Sequence, residues 1–190
     1  LSFGGGLRSV LDMEQRLNAG ADKVVLNTQA LRDPGLIEQG AREFGSQAIV
    51  VSIDAKAQEP GAWKVALEGG RDLTPRSPSD WAREAEARGA GEILINSIDR
   101  DGTGQGYDLP LMRSVTRAVK IPVIACGGVG RWEHLAEGVL EGGASAVAAA
   151  NIFHYTENSV FHAKQFLAGQ GLPFRRPVLG WGAEPVAQAA

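Results

Sequence analysis

Three carboxylates and two glycine pairs hold most of the chemistry this sequence offers. Asp54 ends the apolar run Ala48 to Ile53, and Asp99 and Asp101 follow the run Ile93-Leu94-Ile95 in the stretch Asn96-Ser97-Ile98-Asp99-Arg100-Asp101-Gly102-Thr103-Gly104. A carboxylate delivered at the end of a buried strand can take up and return a proton, and backbone N–H groups around glycine can hold an anion. Gly5-Gly6 and Gly127-Gly128 provide two such nests. The next strand adds polar neighbours to each: Asn27 and Thr28 to the first, Ala150 and Asn151 to the second, with Asp101 and Gly102 flanking the latter. Asp54 falls between them. Two anion sites with a proton-transfer acid midway suit a long small molecule phosphorylated at both ends.

The elements that must position these groups alternate along the chain. Short apolar runs are expected as strands at Leu1 to Phe3, Lys23 to Leu26, Ala48 to Ile53, Glu92 onward, Pro122 to Cys126 and Ala146 to Ala149. Amphipathic stretches between them are expected as helices: Ser9 to Ala19, Pro34 to Phe44, Ser79 to Arg88, Leu109 to Val119, Trp132 to Leu140 and Ser159 to Ala168, with a short turn beginning at Asn151. Glu59 to Arg76, with Pro60-Gly61 and Gly69-Gly70 around Trp63 to Leu67, reads as a hairpin excursion rather than a core element. Six strand–helix units imply a parallel sheet, either doubly wound or closed as a (β/α)8 barrel.

An internal repeat decides for the barrel. Gly5-Gly6-Leu7 through Gly20-Ala21-Asp22-Lys23-Val24 parallels Gly127-Gly128-Val129 through Gly143-Ala144-Ser145-Ala146-Val147, with one residue inserted, and the copies start four units apart. Ser52-Ile53-Asp54 and Ser97-Ile98-Asp99 end neighbouring strands with the same tripeptide. A repeat of four units fits a duplicated half-barrel that closes at eight. Leu1 stands almost directly before the first glycine loop, so the expectation is an N-terminally truncated barrel over 1–176, comprising strands three to eight. Residues 177–190 are expected to form a flexible tail.

The glycine loops, Ala21-Asp22-Lys23-Val24 with Asn27-Thr28, Ile53-Asp54-Ala55-Lys56, Asp99-Arg100-Asp101-Gly102-Thr103 with Gly106-Tyr107-Asp108, and Ile152-Phe153-His154 together resemble the cyclase subunit of imidazole glycerol phosphate synthase. That resemblance implies a lyase of histidine biosynthesis. Such an enzyme converts a bisphosphorylated formimino carboxamide ribotide and ammonia into imidazole glycerol phosphate and an aminoimidazole carboxamide ribotide. It implies that Asp54 is a catalytic acid/base, whose partner carboxylate belongs on an absent first strand, so that this stretch alone would turn over poorly. It further implies that Gly6, Asn27 and Thr28 bind one phosphate, and Asp101, Gly102, Gly128, Ala150 and Asn151 the other; Gly5, and Gly127 with Asp99, are the loop neighbours expected to complete the two sites. Lys23 and Glu92 fall where that family gates ammonia from a glutamine amidotransferase (glutaminase) partner; a stabilising salt bridge is the simpler role for the pair. Cys126 and Asn151 depart from the serines usual in the histidine pathway. They bring the chain closer to a paralogous branch that supplies ammonia for amidation of surface-glycan sugars. A third reading is a phosphate-binding fragment without turnover.

Composition narrows the rest. A net charge of −3 without a basic stripe argues against a nucleic-acid surface, and no apolar stretch has the length of a membrane span. One cysteine excludes an internal disulfide, no Cys/His spacing suggests a metal site, and no organic cofactor is indicated. A cytoplasmic enzyme is the default. Cys126, His134, His154 and His162 read as packing or surface residues, Trp63 as packing on the hairpin, and Trp81 and Trp132 as packing outside the sheet.

Overall fold

The structure is a computed structural model that describes residues 1–154 and 159–175. Six strands form a parallel sheet: β1 (Ser2–Gly4), β2 (Lys23–Leu26), β3 (Ile49–Glu59), β6 (Glu92–Ser97), β7 (Val123–Cys126) and β8 (Ala146–Val147). They lie side by side in chain order. A doubly wound sheet reverses its strand order at a switch point, whereas a barrel keeps strands sequential, so the order is that of part of a (β/α)8 barrel. Two further strands, β4 (Ala62–Leu67) and β5 (Asp72–Leu73), form an antiparallel extension on β3 and are not barrel strands.

Seven α-helices connect the strands among the described residues: α1 (Val10–Asn18), α2 (Thr28–Arg32), α3 (Gly35–Phe44), α4 (Pro78–Ala87), α5 (Leu109–Thr116), α6 (Trp132–Leu140) and α7 (Val160–Gly169). Strand side chains alternate faces, and the two faces differ. The core shared with the helices takes Val24, Leu26, Val51, Ile53, Ala55, Ile93, Ile95, Val123 and Ala125 from the strands. Their alternating neighbours Val25, Asn27, Ser52, Asp54, Leu94, Asn96 and Cys126 lie on the opposite face and are mostly half-buried. A doubly wound sheet would cover both faces with helices; here the polar and reactive side chains share the face left to the barrel interior. Trp81 anchors the covered side, 1% exposed, with the Arg76 guanidinium 5.2 Å above its ring. Gly40 brings α3 against α1, since a side chain there would meet Met13 Sδ at 2.8 Å.

Several expectations change. The third strand does not stop at Ile53; it runs to Glu59 because β4 pairs with its second half, placing Ala66 opposite Asp54. The hairpin is therefore part of the core as well as an excursion: Val65 and Ala66 are buried. Ser52-Ile53-Asp54 lies inside β3 whereas Ser97 is the last residue of β6, so the two tripeptides are not level: the register sets Asp54 beside Asn96 and Ala55 beside Ser97. Helix α5 ends at Thr116 rather than Val119, ahead of Pro122, and β8 is shorter than Ala146 to Ala149. Helix α2 was not anticipated. The expected tail lies outside the described residues.

Candidate active site

All the candidate groups except Lys23 and Glu92 stand at the C-terminal end of the parallel strands. Following the sheet order, Gly5 and Gly6 come after β1, Asn27 and Thr28 follow β2, Asp54 is on β3, Asp99 to Gly102 follow β6, Gly127 and Gly128 follow β7, and Ala150 and Asn151 follow β8. Asp54 thus sits between the two glycine loops.

Asp54 is held from both sides. Its Oδ2 accepts from Asn27 Nδ2 at 2.9 Å and its Oδ1 from Asn96 Nδ2 at 3.1 Å. A carboxylate bonded through both oxygens keeps one orientation. Asn96 was not among the residues singled out from sequence. Its signal was parity: it shares a face with Glu92 and Leu94, opposite Ile93, Ile95 and Ser97, and a polar amide on that inward face points to a site. Asn96 Oδ1 is itself buried without a hydrogen-bond partner, beside the Gly127 backbone.

The first glycine loop borders a pocket of about 330 Å³ lined by Gly5, Gly6, Arg8, Asn27, Thr28, Arg32 and Glu68. Gly5 and Gly6 have φ of 101° and 72°, and a Cβ on either would meet nothing within 4 Å, so neither glycine is required by packing. Ser9 and Asp12 close the loop as a capping box: Ser9 Oγ accepts from Asp12 N–H, and the Asp12 carboxylate accepts from the Arg8 and Ser9 N–H groups. Those backbone bonds, Arg8 first, hold the Asp12 carboxyl below its ordinary range. Arg8 and Arg32 are the pocket's cations, and neither was picked out from sequence.

The second loop is built differently. A Cβ on Gly128 would overlap the Gly106 carbonyl oxygen, and one on Gly127 would lie 2.6 Å from Asn96 Oδ1. Gly106 N–H donates to the Gly128 carbonyl at 2.7 Å, and Gly130 N–H donates to His134 Nδ1 at 3.2 Å. The loop from Asp99 to Tyr107 therefore lies directly on the Gly127 loop, which brings Asp101 and Gly102 to its side. Tyr107 secures the arrangement: its buried phenol donates to the Ala148 carbonyl at 2.9 Å, and burial pushes its pKa upward. Asp101 and Gly102 remain exposed, while Asp99 Oδ2 accepts from Ala57 N–H at 2.7 Å and so ties the loop to the extended part of β3. Asn151 begins the 3-10 turn Asn151–His154 as expected, and Ala150 accepts from Phe153 N–H at 3.1 Å.

Cys126 lies beside Asn96 in the sheet. Burial first, then the Asp101 carboxylate and, more weakly, Asp54, push its thiol pKa up, so it stays protonated at neutral pH and is a poor nucleophile. His134 is buried, and burial lowers its pKa; its neutral ring accepts from Gly130 as a packing residue. Trp63 does more than pack, because its Nε1 donates to Asp108 Oδ2 at 2.8 Å and joins the hairpin to the cap of α5.

At the opposite end of the sheet, the Lys23 ammonium pairs with Glu92 across β3, both side chains being largely shielded. Val50 is level with Glu92, so Asp54 stands four residues, roughly 13 Å, farther along the strands.

The family model for histidine biosynthesis proteins matches residues 1–159. The chain belongs to that family. The match spans both glycine loops, Asp54 and Asp99 to Gly102, and membership in this family places the protein among enzymes of histidine biosynthesis. No helix of the described residues is long and apolar enough to cross a membrane.

Proposed function

We propose that this protein is the ammonia-dependent cyclase and lyase of the histidine pathway, working in the cytoplasm on a ribotide phosphorylated at both ends. The observation that carries the reading is the suspension of Asp54 between Asn27 and Asn96, with one glycine loop on either side. One phosphate would sit against Gly5, Gly6, Asn27 and Thr28. The other would sit against Asp101 and Gly102 with Gly127, Gly128, Ala150 and Asn151, its charge met by backbone N–H groups. Asp99 braces that second loop through Ala57.

In this reading Asp54 moves protons as ammonia adds, the aminoimidazole carboxamide ribotide leaves and the imidazole ring closes. Ammonia would enter at the far end of the strands, past Lys23 and Glu92, from a glutamine amidotransferase partner. A charged pair at that point can open and close without disturbing the acid 13 Å or so away.

Complementation of a histidine auxotroph that lacks the cyclase tests the proposal. The full-length gene that carries this sequence restores growth and its Asp54→Asn variant does not. Folded, expressed protein that fails to restore growth overturns the cyclase reading.

A further inference from the structure

Glu68 stands at the tip of the β4–β5 turn with φ of 51°, the sole positive value for a non-glycine residue among those described. Gly69 and Gly70 follow with φ of 68° and 92°. Glycine, asparagine or aspartate suits such a position better than glutamate does, so the side chain needs a reason to be there. That reason is visible in its partners. The Glu68 carboxylate pairs with Arg32 Nη2, and its N–H donates to Thr28 Oγ1 at 3.1 Å. Thr28 and Arg32 are the first and last residues of α2, and both line the pocket beside Gly5 and Gly6. A carboxylate of the chain thus already engages a cation of the pocket.

We propose that Glu68 is an internal anion that competes with a phosphate group for Arg32, making the hairpin tip a charge-selective latch on the first anion pocket. The inference rests on the reading of that pocket as a phosphate site. The Arg32 and Glu68 side chains are 52% and 39% exposed, so their pairing is screened and readily exchanged. A phosphate monoester carries more charge than a carboxylate and can take the guanidinium through two parallel bonds. Once it has done so, the Glu68 carboxylate is repelled and the tip is released. A singly charged ligand gains too little from Arg32 to displace Glu68, so the latch favours sugar phosphates over carboxylic acids of similar size. The other end of the hairpin is tied to Asp108 through Trp63, so that end is held independently of the Arg32 pairing.

The test is a titration of the full chain with inorganic phosphate, followed through the amide signals of Gly5 and Gly6. Glu68→Gln should bind about fivefold tighter than the unsubstituted protein, and Arg32→Gln should bind more weakly. In the Arg32→Gln background the Glu68→Gln gain should vanish. If the unsubstituted protein titrates but Glu68→Gln binds no more tightly, the latch is wrong and the pocket stands. A gain that survives removal of Arg32 also overturns the latch, leaving only a general charge effect. Silence at Gly5 and Gly6 in every variant removes the pocket itself, and the proposed function with it.

Discussion

The two glycine loops are copies of one sequence pattern put to different physical use. After β1, Gly5 and Gly6 look into open space and border a pocket with two arginines; after β7, Gly127 and Gly128 are pressed against Asn96 and Gly106. The residue after each pair is buried alike, Leu7 at 6% exposure and Val129 at 5%, so the backbone path is shared. What differs is how the following helix is started. Ser9 and Asp12 close α1 through a capping box, whereas Arg131 gives α6 no side-chain cap and the loop is fixed by His134 and by the overlying Gly106. Glycine at one loop leaves its surroundings open, and glycine at the other permits a second loop to approach.

That contrast breaks most visibly at Gly128. A Gly128→Ala change combines a positive φ with overlap on the Gly106 carbonyl, and a loss of about 3–4 kcal/mol is expected in denaturant unfolding. Gly6→Ala meets no neighbour and should cost only about 1–2 kcal/mol from its φ of 72°, while phosphate binding at that loop falls at least about tenfold. Equal stability losses at the two positions would erase the distinction. Ser9→Ala removes one half of the capping box and should cost about 1 kcal/mol, read from the same unfolding curves.

Acidification separates the loops by a smaller margin. Burial holds the folded His134 pKa below its usual 6.5, so the folded state binds the proton less readily than the unfolded chain. The neutral ring's contribution is complete above 6.5 and is lost as pH falls through the lower folded value. The melting temperature should therefore drop by roughly 2–4 °C more in the parent than in a His134→Gln variant across that window. Identical pH profiles would show that burial does not lower the His134 pKa.

The alternation of strands and helices was legible because each switch of period leaves its own mark: β-branched runs for strands, Ser9 and Ser159 as caps, and glycine at the turns. The barrel expectation came through the repeat, and the sequential order of the parallel strands is that of part of such a barrel. Register was not legible. Matching tripeptides marked neighbouring strands but carried no register; stagger between parallel strands is set by packing of the whole sheet, and it placed Asn96 beside Asp54. The extension of β3 to Glu59 was hidden for a related reason, since Lys56 to Glu59 is polar and becomes strand only by pairing with β4. Arg32 and Glu68 were invisible as a pair because 36 residues separate them and only the hairpin's fold brings them together.

The central claim is that one ligand spans both loops with its middle over Asp54. A crystal structure of this chain with a ribotide analogue phosphorylated at both ends tests it most directly. The account predicts one phosphorus atom against Gly5 and Gly6, the other against Gly102 and Gly128, and the connecting sugar within hydrogen-bond reach of Asp54. A ligand whose two phosphates bind elsewhere, or whose sugar lies away from Asp54, would contradict it.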